Sequence, residues 1–350
     1  MDWGMMMKED TWFSKKILID RRLVGNGQPV FIVAEAGVAH FGKVEKALSL
    51  VDLAVEAGAD AVKFQIFRTD SLISTEAMDW KARLSTRELP YEAFPDIKRY
   101  CAKRNIIFFA TAHDEDSLVF LDKLEPPLYK IGSGEVKNWA FIKRIAQKGK
   151  PVIVSTGMYT LKDVQRVVNL FKEANNPSLM LLHCVTSYPT RPGNVNLATI
   201  PAMSKGFGAI TGYSDHTEGI HFPLAAVALG AKIIEKHIAL DFNVPNAQDW
   251  KVSCGLHSLS EMVMQIRDIE KGLGDGQKKV ALSEEKSILW ARKSIVAVRS
   301  IATGETITEQ VLAYKRPGSG IAPNELDNVV GKKAKKPIGA DTLIQWCSLE

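Results

Sequence analysis

Short apolar or β-branched runs recur along the chain at regular intervals. They fall at residues 31–37 (FIVAEAG), 61–66 (AVKFQI), 106–112 (IIFFATA) and 128–134 (LYKIGSG). Four more follow at 151–157 (PVIVSTG), 179–186 (LMLLHCVT), 208–216 (GAITGYSDH) and 232–240 (KIIEKHIAL). Between them, at 43–57, 90–104, 138–149, 160–174 and 218–230, apolar residues return with a helical period. Strands that are apolar almost throughout are buried on both faces, which requires a parallel sheet covered by helices. Eight such units within about 250 residues predict an α/β fold, a (β/α)8 TIM barrel. An open doubly wound sheet is the competitor. It would carry fewer strands and a glycine-rich nucleotide turn, and no GxGxxG follows the first strand.

The flanks break this rhythm. Residues 1–16 read as a loose leader, and 17–30 (ILIDRRLVGNGQPV) as a hairpin turning at Gly25-Asn26-Gly27 and closing the barrel floor. After a long helix around 258–274 the barrel pattern ends at 276, and 277–290 reads as a charged linker. From 291 to 350, strand-like pieces such as Ser294–Val298 and Thr342–Gln345 alternate with turns. That is a separate module of about 60 residues, small enough to need docking for stability.

Composition narrows the function classes. The chain has 350 residues, 46% hydrophobic and 24% charged, which is ample for a large core. No apolar run approaches the roughly 20 residues of a membrane helix, and the first residues lack the apolar segment of a secretory signal. Four scattered cysteines without CxxC spacing fit reduced thiols and a cytoplasmic location. A net charge of +5, without basic residues interleaved with aromatics, argues against nucleic acid; the basic run at 331–336 reads as a solvated face. A mild positive bias suits an anionic small substrate.

In a barrel of this kind the C-terminal strand ends face the active site, and those ends are where polar residues gather. The first four runs contribute Glu35, Lys63, Gln65, Thr111, Lys130, Ser133 and Glu135. The next contribute Ser155, Thr156, His183, Thr186 and Tyr188, and the last two Ser214, Asp215, His216, Glu235, Lys236 and His237. Each unpaired polar group on a buried strand costs roughly 1–3 kcal/mol, so their recurrence at one end calls for a shared ligand. Lys63 and Lys130, with the hydroxyls of Thr111, Ser133, Ser155 and Ser214, make a cradle for phosphate and carboxylate. A single serine there has a plainer use, capping the next helix; a set of them does not. His216 and His237 end adjacent strands and could converge on one metal, whereas His40, His113, His183, His221 and His257 are weaker candidates. Glu35 and Glu235 could orient a metal-bound water or transfer protons.

At these residues the chain resembles the sialic acid synthase family. The shared phrases are VAEAGVAHFG (33–42), GADAVKFQ (58–65), YKIGSGE (129–135), PVIVSTGM (151–158) and LLHCVTSYPT (181–190). GYSDHT (212–217), ALGAKIIEKH (228–237) and KRPGSG (315–320) continue the series in family order. The resemblance implies a barrel followed by an antifreeze-like (SAF, β-clip-type) domain, assembled as a domain-swapped homodimer. It implies condensation of phosphoenolpyruvate with N-acetylmannosamine or a related acylated amino sugar, with release of phosphate by C–O cleavage. His216 and His237 would hold a divalent metal, manganese before magnesium or cobalt. Lys63, Thr111, Lys130, Ser133, Ser155 and Ser214 would hold phosphoenolpyruvate. Gln65, Glu135, Tyr188 and Asp249 would hold the sugar, with Arg316 reaching its N-acyl group from the other subunit.

Three departures from the family pattern fall on the sugar side. Ala39 stands where the family usually has asparagine, with Phe41 after the histidine. Ala247-Gln248 precede Asp249, and Trp250 follows it. The usual sugar-contacting asparagine has no counterpart in 70–90. Apolar Phe41 and Trp250 would suit a deoxygenated diacetamido sugar. Two rival readings remain: a phosphoenolpyruvate aldol synthase for a phosphorylated sugar, which would need a second cationic pocket, and a catalytically inactive sugar-binding barrel.

Overall fold

A computed structural model describes residues 11–245, 247 and 249–350. The chain divides between Gly274 and Asp275 into two compact units. No helix among the described residues is long and apolar enough to cross a membrane.

The first unit opens with a hairpin, β1 (Lys16–Ile19) against β2 (Arg22–Gly25). Its turn lies at Asp20-Arg21, not at the expected Gly25-Asn26-Gly27. Asp20 takes the left-handed conformation, φ 52°, which aspartate tolerates. Gly25 instead ends the second strand, where a Cβ would come within 2.2 Å of the Lys15 carbonyl oxygen. The part of the leader that is described is not loose: Phe13 is buried, and Ser14 N–H donates to the Pro177 carbonyl. Residues 1–10 of that expected leader lie outside the described residues.

Eight parallel strands then close into a barrel: β3 (Phe31–Gly37), β4 (Ala61–Ile66), β5 (Ile107–Ala112), β6 (Tyr129–Ile131), β7 (Val152–Ser155), β8 (Leu179–Cys184), β9 (Ile210–Asp215) and β10 (Ile233–His237). Each pairs with the next, and β10 returns to β3. Around it stand α1 (Val44–Glu56), α4 (Ala93–Lys103), α5 (Glu115–Lys123), α6 (Trp139–Ala146), α7 (Leu161–Glu173), α8 (Thr199–Phe207), α9 (His221–Ala228) and α10 (Leu256–Gly272). Two short helices, α2 (Thr69–Leu72) and α3 (Met78–Ser85), precede α4. The barrel helices bury an apolar stripe; α1 does so with Ala47, Leu50, Val51, Leu53 and Ala54. At α7, Thr160 and Asp163 form a reciprocal capping box, an arrangement contributing about 1 kcal/mol.

Strand alternation explains where the site sits. Ile32 and Ala34 point outward into the helix layer, while Phe31 and Val33 point into the barrel. The lower inward positions of the strands (Phe31, Val33, Ile107, Phe109, Ile153, Met180) form one apolar cluster. Ile17, Ile19 and Val24 of the hairpin join it, so the barrel floor is plugged. Two residues further up each strand the inward parity continues, and there it carries Glu35, Lys63, Thr111, Ser155, Ser214, Glu235 and His237.

The second unit has its own core, including Ile295, Ile301, Ile307, Ile321, Val329 and Ile344. Its sheet pairs β11 (Ser294–Ala297) antiparallel with β12 (Leu312–Lys315). It also holds α11 (Glu285–Ala291), within the stretch read as linker, and α12 (Leu326–Val329). The expected strand at 342–345 is reduced to a single bridge, Val296 to Leu343.

Candidate active site

Register brings the polar strand ends together before any side chain is considered. Glu35 is the partner of Lys63 on one side and of His237 on the other. Thr111 pairs with Gln65 and with Lys130, and Ser214 with Cys184 and Glu235. All of these line one cavity of about 550 Å³ at the top of the barrel.

Two buried lysines and two buried glutamates form its floor. Lys63 Nζ lies 2.9 Å from Glu35 Oε2 and 3.8 Å from Glu235 Oε2; Lys130 Nζ lies 3.5 Å from Glu235 Oε1. Lys130 donates to Ser155 Oγ at 2.7 Å, Lys63 to Thr111 Oγ1 at 3.3 Å, and Ser214 to Glu235 Oε1 at 3.0 Å. Ser133 Oγ accepts from the Gly157 amide at 3.0 Å. Gly157 is required there: a Cβ would come within 2.2 Å of Thr186 Oγ1 and 2.7 Å of Ser133 Oγ.

The two carboxylates are pushed apart in proton affinity. Burial raises Glu35, with Lys63 opposing it and Glu235 adding to it. Burial also pushes on Glu235, but Lys130, Lys63 and the Ser214 hydroxyl outweigh it and hold Glu235 down at about 2. Burial lowers Lys130, whereas the two carboxylates overcome burial at Lys63 and raise it. The proton affinities of the two carboxylates thus diverge, the separation expected of acid–base pairs.

Above this floor the His216 and His237 rings lie 5.2 Å apart, centroid to centroid. His216 Nδ1 donates to the Val185 carbonyl at 2.8 Å, and Nε2 faces the Tyr188 hydroxyl at 2.9 Å. Burial pushes His237 down to about 3 and keeps it neutral. The loop carrying His216 is pinned by Asp215, which accepts from Lys236 Nζ at 2.6 Å and from Tyr213 OH at 2.9 Å. A neutral imidazole and an oriented one are the donors a borderline divalent cation prefers, so the residues fit such an ion. Among the described residues no cluster of three or more His, Cys, Asp or Glu forms a closed cage. Two protein donors would leave coordination positions for substrate oxygens.

Of the site residues expected from sequence, all but two line the cavity, including Gln65, Tyr188 and Asp249. Glu135 does not: it sits in a 3-10 turn, and its carboxylate accepts from Asn138 Nδ2 at 2.7 Å. Arg316 belongs to the second unit, its guanidinium 5.6 Å from the Trp290 ring. Lys236 and His183 are structural, paired with Asp215 and with the Val195 carbonyl respectively. Phe41 and Trp250 line a separate small hollow rather than the large cavity. Six lining residues escaped the sequence reading: Val38 and Cys184 at strand ends, and Trp80, Arg83, Leu84 and Arg87 on and after α3. The helical spacing of the last four was the available signal.

Paired imidazoles beside buried lysines and hydroxyls in one cavity at the top of a TIM barrel are the setting of an enzyme site for an anionic substrate. Residues 50–278 match the NeuB family and residues 292–350 the SAF domain, and the chain belongs to the NeuB family. The N,N'-diacetyllegionaminic acid synthase of Campylobacter jejuni is 40% identical over 329 residues, 90% of this chain and 98% of that protein. The human N-acetylneuraminate-9-phosphate synthase is 33% identical over 92% of this chain and 93% of its own length. Among solved structures, the N-acetylneuraminic acid synthetase of Leptospira borgpetersenii, in complex with citrate, superposes with a TM-score of 0.74 at 34% identity. That match covers 79% of this chain and 96% of that one.

Proposed function

We propose that the chain condenses phosphoenolpyruvate with the open-chain form of an N-acylated mannose-type amino sugar, giving a nonulosonic acid and inorganic phosphate. The observation that carries this is the pairing of Lys63 and Lys130 with hydroxyls on one side of the cavity and the His216–His237 pair on the other. In this reading Lys63, Thr111, Lys130, Ser133, Ser155 and Ser214 hold phosphoenolpyruvate. Gln65, Tyr188 and Asp249 hold the sugar. His216 and His237 hold a divalent cation, with manganese favoured over the harder magnesium on grounds of softness and cobalt also compatible. When bound, that cation supplies polarisation of the sugar aldehyde.

Carbon 3 of phosphoenolpyruvate forms the new bond to the aldehyde carbon. As that bond forms, the aldehyde oxygen takes a proton from solvent and becomes a hydroxyl, and carbon 2, left electron-poor, gains a water oxygen, one of whose protons passes to Glu35. The bond from carbon 2 to the phosphate oxygen then breaks with its electron pair going to phosphate, the remaining proton of the carbon 2 hydroxyl follows it, and a ketone is left at carbon 2. Glu235 stays ionised throughout and keeps both lysines aimed at the cradle. By the family resemblance, Arg316 of a second copy reaches the N-acyl group in a domain-swapped homodimer. Cysteines 101, 184 and 254, free and buried, accord with a reducing cytoplasm.

The test is incubation with manganese, a panel of N-acylated hexosamines and phosphoenolpyruvate carrying 18O in the bridging position. Sugar-dependent release of labelled phosphate, lost on chelation, is expected. Label retained in the organic product would overturn C–O cleavage, and phosphate release without a sugar adduct would overturn condensation.

A further inference from the structure

His113 lines the cavity and has no part in the chemistry above. It follows β5, two residues beyond Thr111, so inward parity places it one layer above Lys63, Thr111 and Lys130. β5 lies between β4 and β6, which carry the two lysines, and across the closed barrel from β9, which leads into His216. The backbone there is fixed from both sides. The His113 amide donates to the Ile66 carbonyl at 3.0 Å, extending the β4–β5 ladder by one residue, and Asp114 caps α5 by accepting from the Ser117 amide at 2.8 Å. Against the ring stand Gly132, where a Cβ would lie 3.7 Å from His113 Cε1, and Phe67, 6.4 Å away between centroids.

What the ring lacks is a partner. His183 and His216 are each held to a backbone carbonyl. Among the described residues no hydrogen bond reaches either nitrogen of His113, and its Nε2 is buried without one. A polar group so firmly placed and left unpaired is costly, and a ligand that pairs with it recovers the loss. No acceptor stands at Nε2, so the ring proton belongs on Nδ1, the nitrogen left for a ligand in the cavity. Burial and the charges of Lys63 and Lys130 push the imidazole down to about 4, so it serves as a neutral donor and not as a third cation.

Resting on the synthase reading, we propose that His113 Nδ1 donates a hydrogen bond to the phosphate of phosphoenolpyruvate. Lys63 and Lys130 supply charge from the strands on either side, and His113 supplies a directional donor above them. Two ammonium ions and a neutral donor suit a phosphate, with two charges and three terminal oxygens, better than a carboxylate with one charge and two. The same donor stays with the phosphate while its bond to carbon 2 breaks, the moment at which charge on the phosphate oxygens grows.

The test titrates the full chain by calorimetry with inorganic phosphate and with pyruvate, separate probes of the two ends of phosphoenolpyruvate. His113→Phe keeps a ring and removes both nitrogens. It should weaken phosphate binding at least about tenfold, the scale of one charge-assisted hydrogen bond, and leave pyruvate within about twofold. His113→Asn, whose amide falls where Nδ1 was, should restore most of the phosphate affinity, and His113→Gln, which reaches toward Nε2, should not. In turnover, kcat/KM for phosphoenolpyruvate should fall with phosphate affinity while the KM of the sugar holds. Phosphate binding unchanged in His113→Phe, or a loss that falls on pyruvate instead, overturns the proposal. So does equal phosphate affinity of the Asn and Gln variants, a comparison that decides even where His113→Phe fails to fold. Lys130→Ala separates the two readings: phosphate affinity lost there but kept in His113→Phe sinks the role of His113 alone, and affinity kept in both sinks the cradle with it.

Discussion

The lower and upper halves of the barrel interior are built by the same strands with the same inward parity, and they have opposite chemistry. On β3, Phe31 and Val33 belong to the apolar plug, and Glu35 belongs to the cavity. On β5, Ile107 and Phe109 give way to Thr111, and on β10 Ile233 gives way to Glu235 and His237. Geometry therefore does not separate stability from function here; height along the strand does. The plug is held by dispersion and exclusion of water, forces indifferent to direction. The ring above is held by directional pairs at fixed distances, and its charges tolerate burial only because each has a partner.

That contrast makes a double dissociation the sharpest way to break it. His237→Ala should lower kcat by about 10^4-fold through loss of a cation donor, while thermal unfolding shifts little. A stability loss in step with the activity loss would erase the distinction. Phe109→Ala, in the plug, should cost about 3 to 5 kcal/mol by denaturant unfolding, with kcat per folded molecule retained. A fall in kcat at full folding would mean that the plug shapes the ring.

Acid offers a third, smaller lever. Burial lowers His40 to about 4 from an ordinary 6.5, so the unfolded chain binds this proton more readily. Stability should therefore fall as pH drops from 6.5 toward 4, by about 2 kcal/mol per group at pH 5. His40→Gln should flatten that part of the stability–pH curve, and an unchanged curve would remove His40 as the cause. The smallest effect belongs to the rim. Trp80→Ala should raise the sugar KM about threefold and move unfolding by less than about 0.5 kcal/mol; a large stability loss would make α3 part of the core.

The difference between ring and rim also decided what the sequence could disclose. Barrel strands buried on both faces read as apolar runs, and a charged residue interrupting such a run, as Lys63 or Glu235 does, has few bland explanations. The ring was legible for that reason. α3 has no buried residue, so it casts no apolar stripe, and the cavity-facing Trp80 and Arg83 resembled surface scatter. Glu135 was misplaced because a 3-10 turn after β6 rotates it toward Asn138, a rotation that strand parity does not foretell. The hairpin turn was misread because two glycines outranked an aspartate that accepts the left-handed conformation.

The pairing of β3 with β10 has a consequence for synthesis on the ribosome. Phe31 meets Ile233, so the first barrel strand waits some two hundred residues of translation for its second neighbour. Until β10 emerges, the sheet is an open ribbon with an unsatisfied edge on β3, the situation in which nascent strands pair with the wrong chain. A holdase that covers this edge during synthesis should therefore raise the yield of native protein, and slower translation, which prolongs the exposure, should lower it.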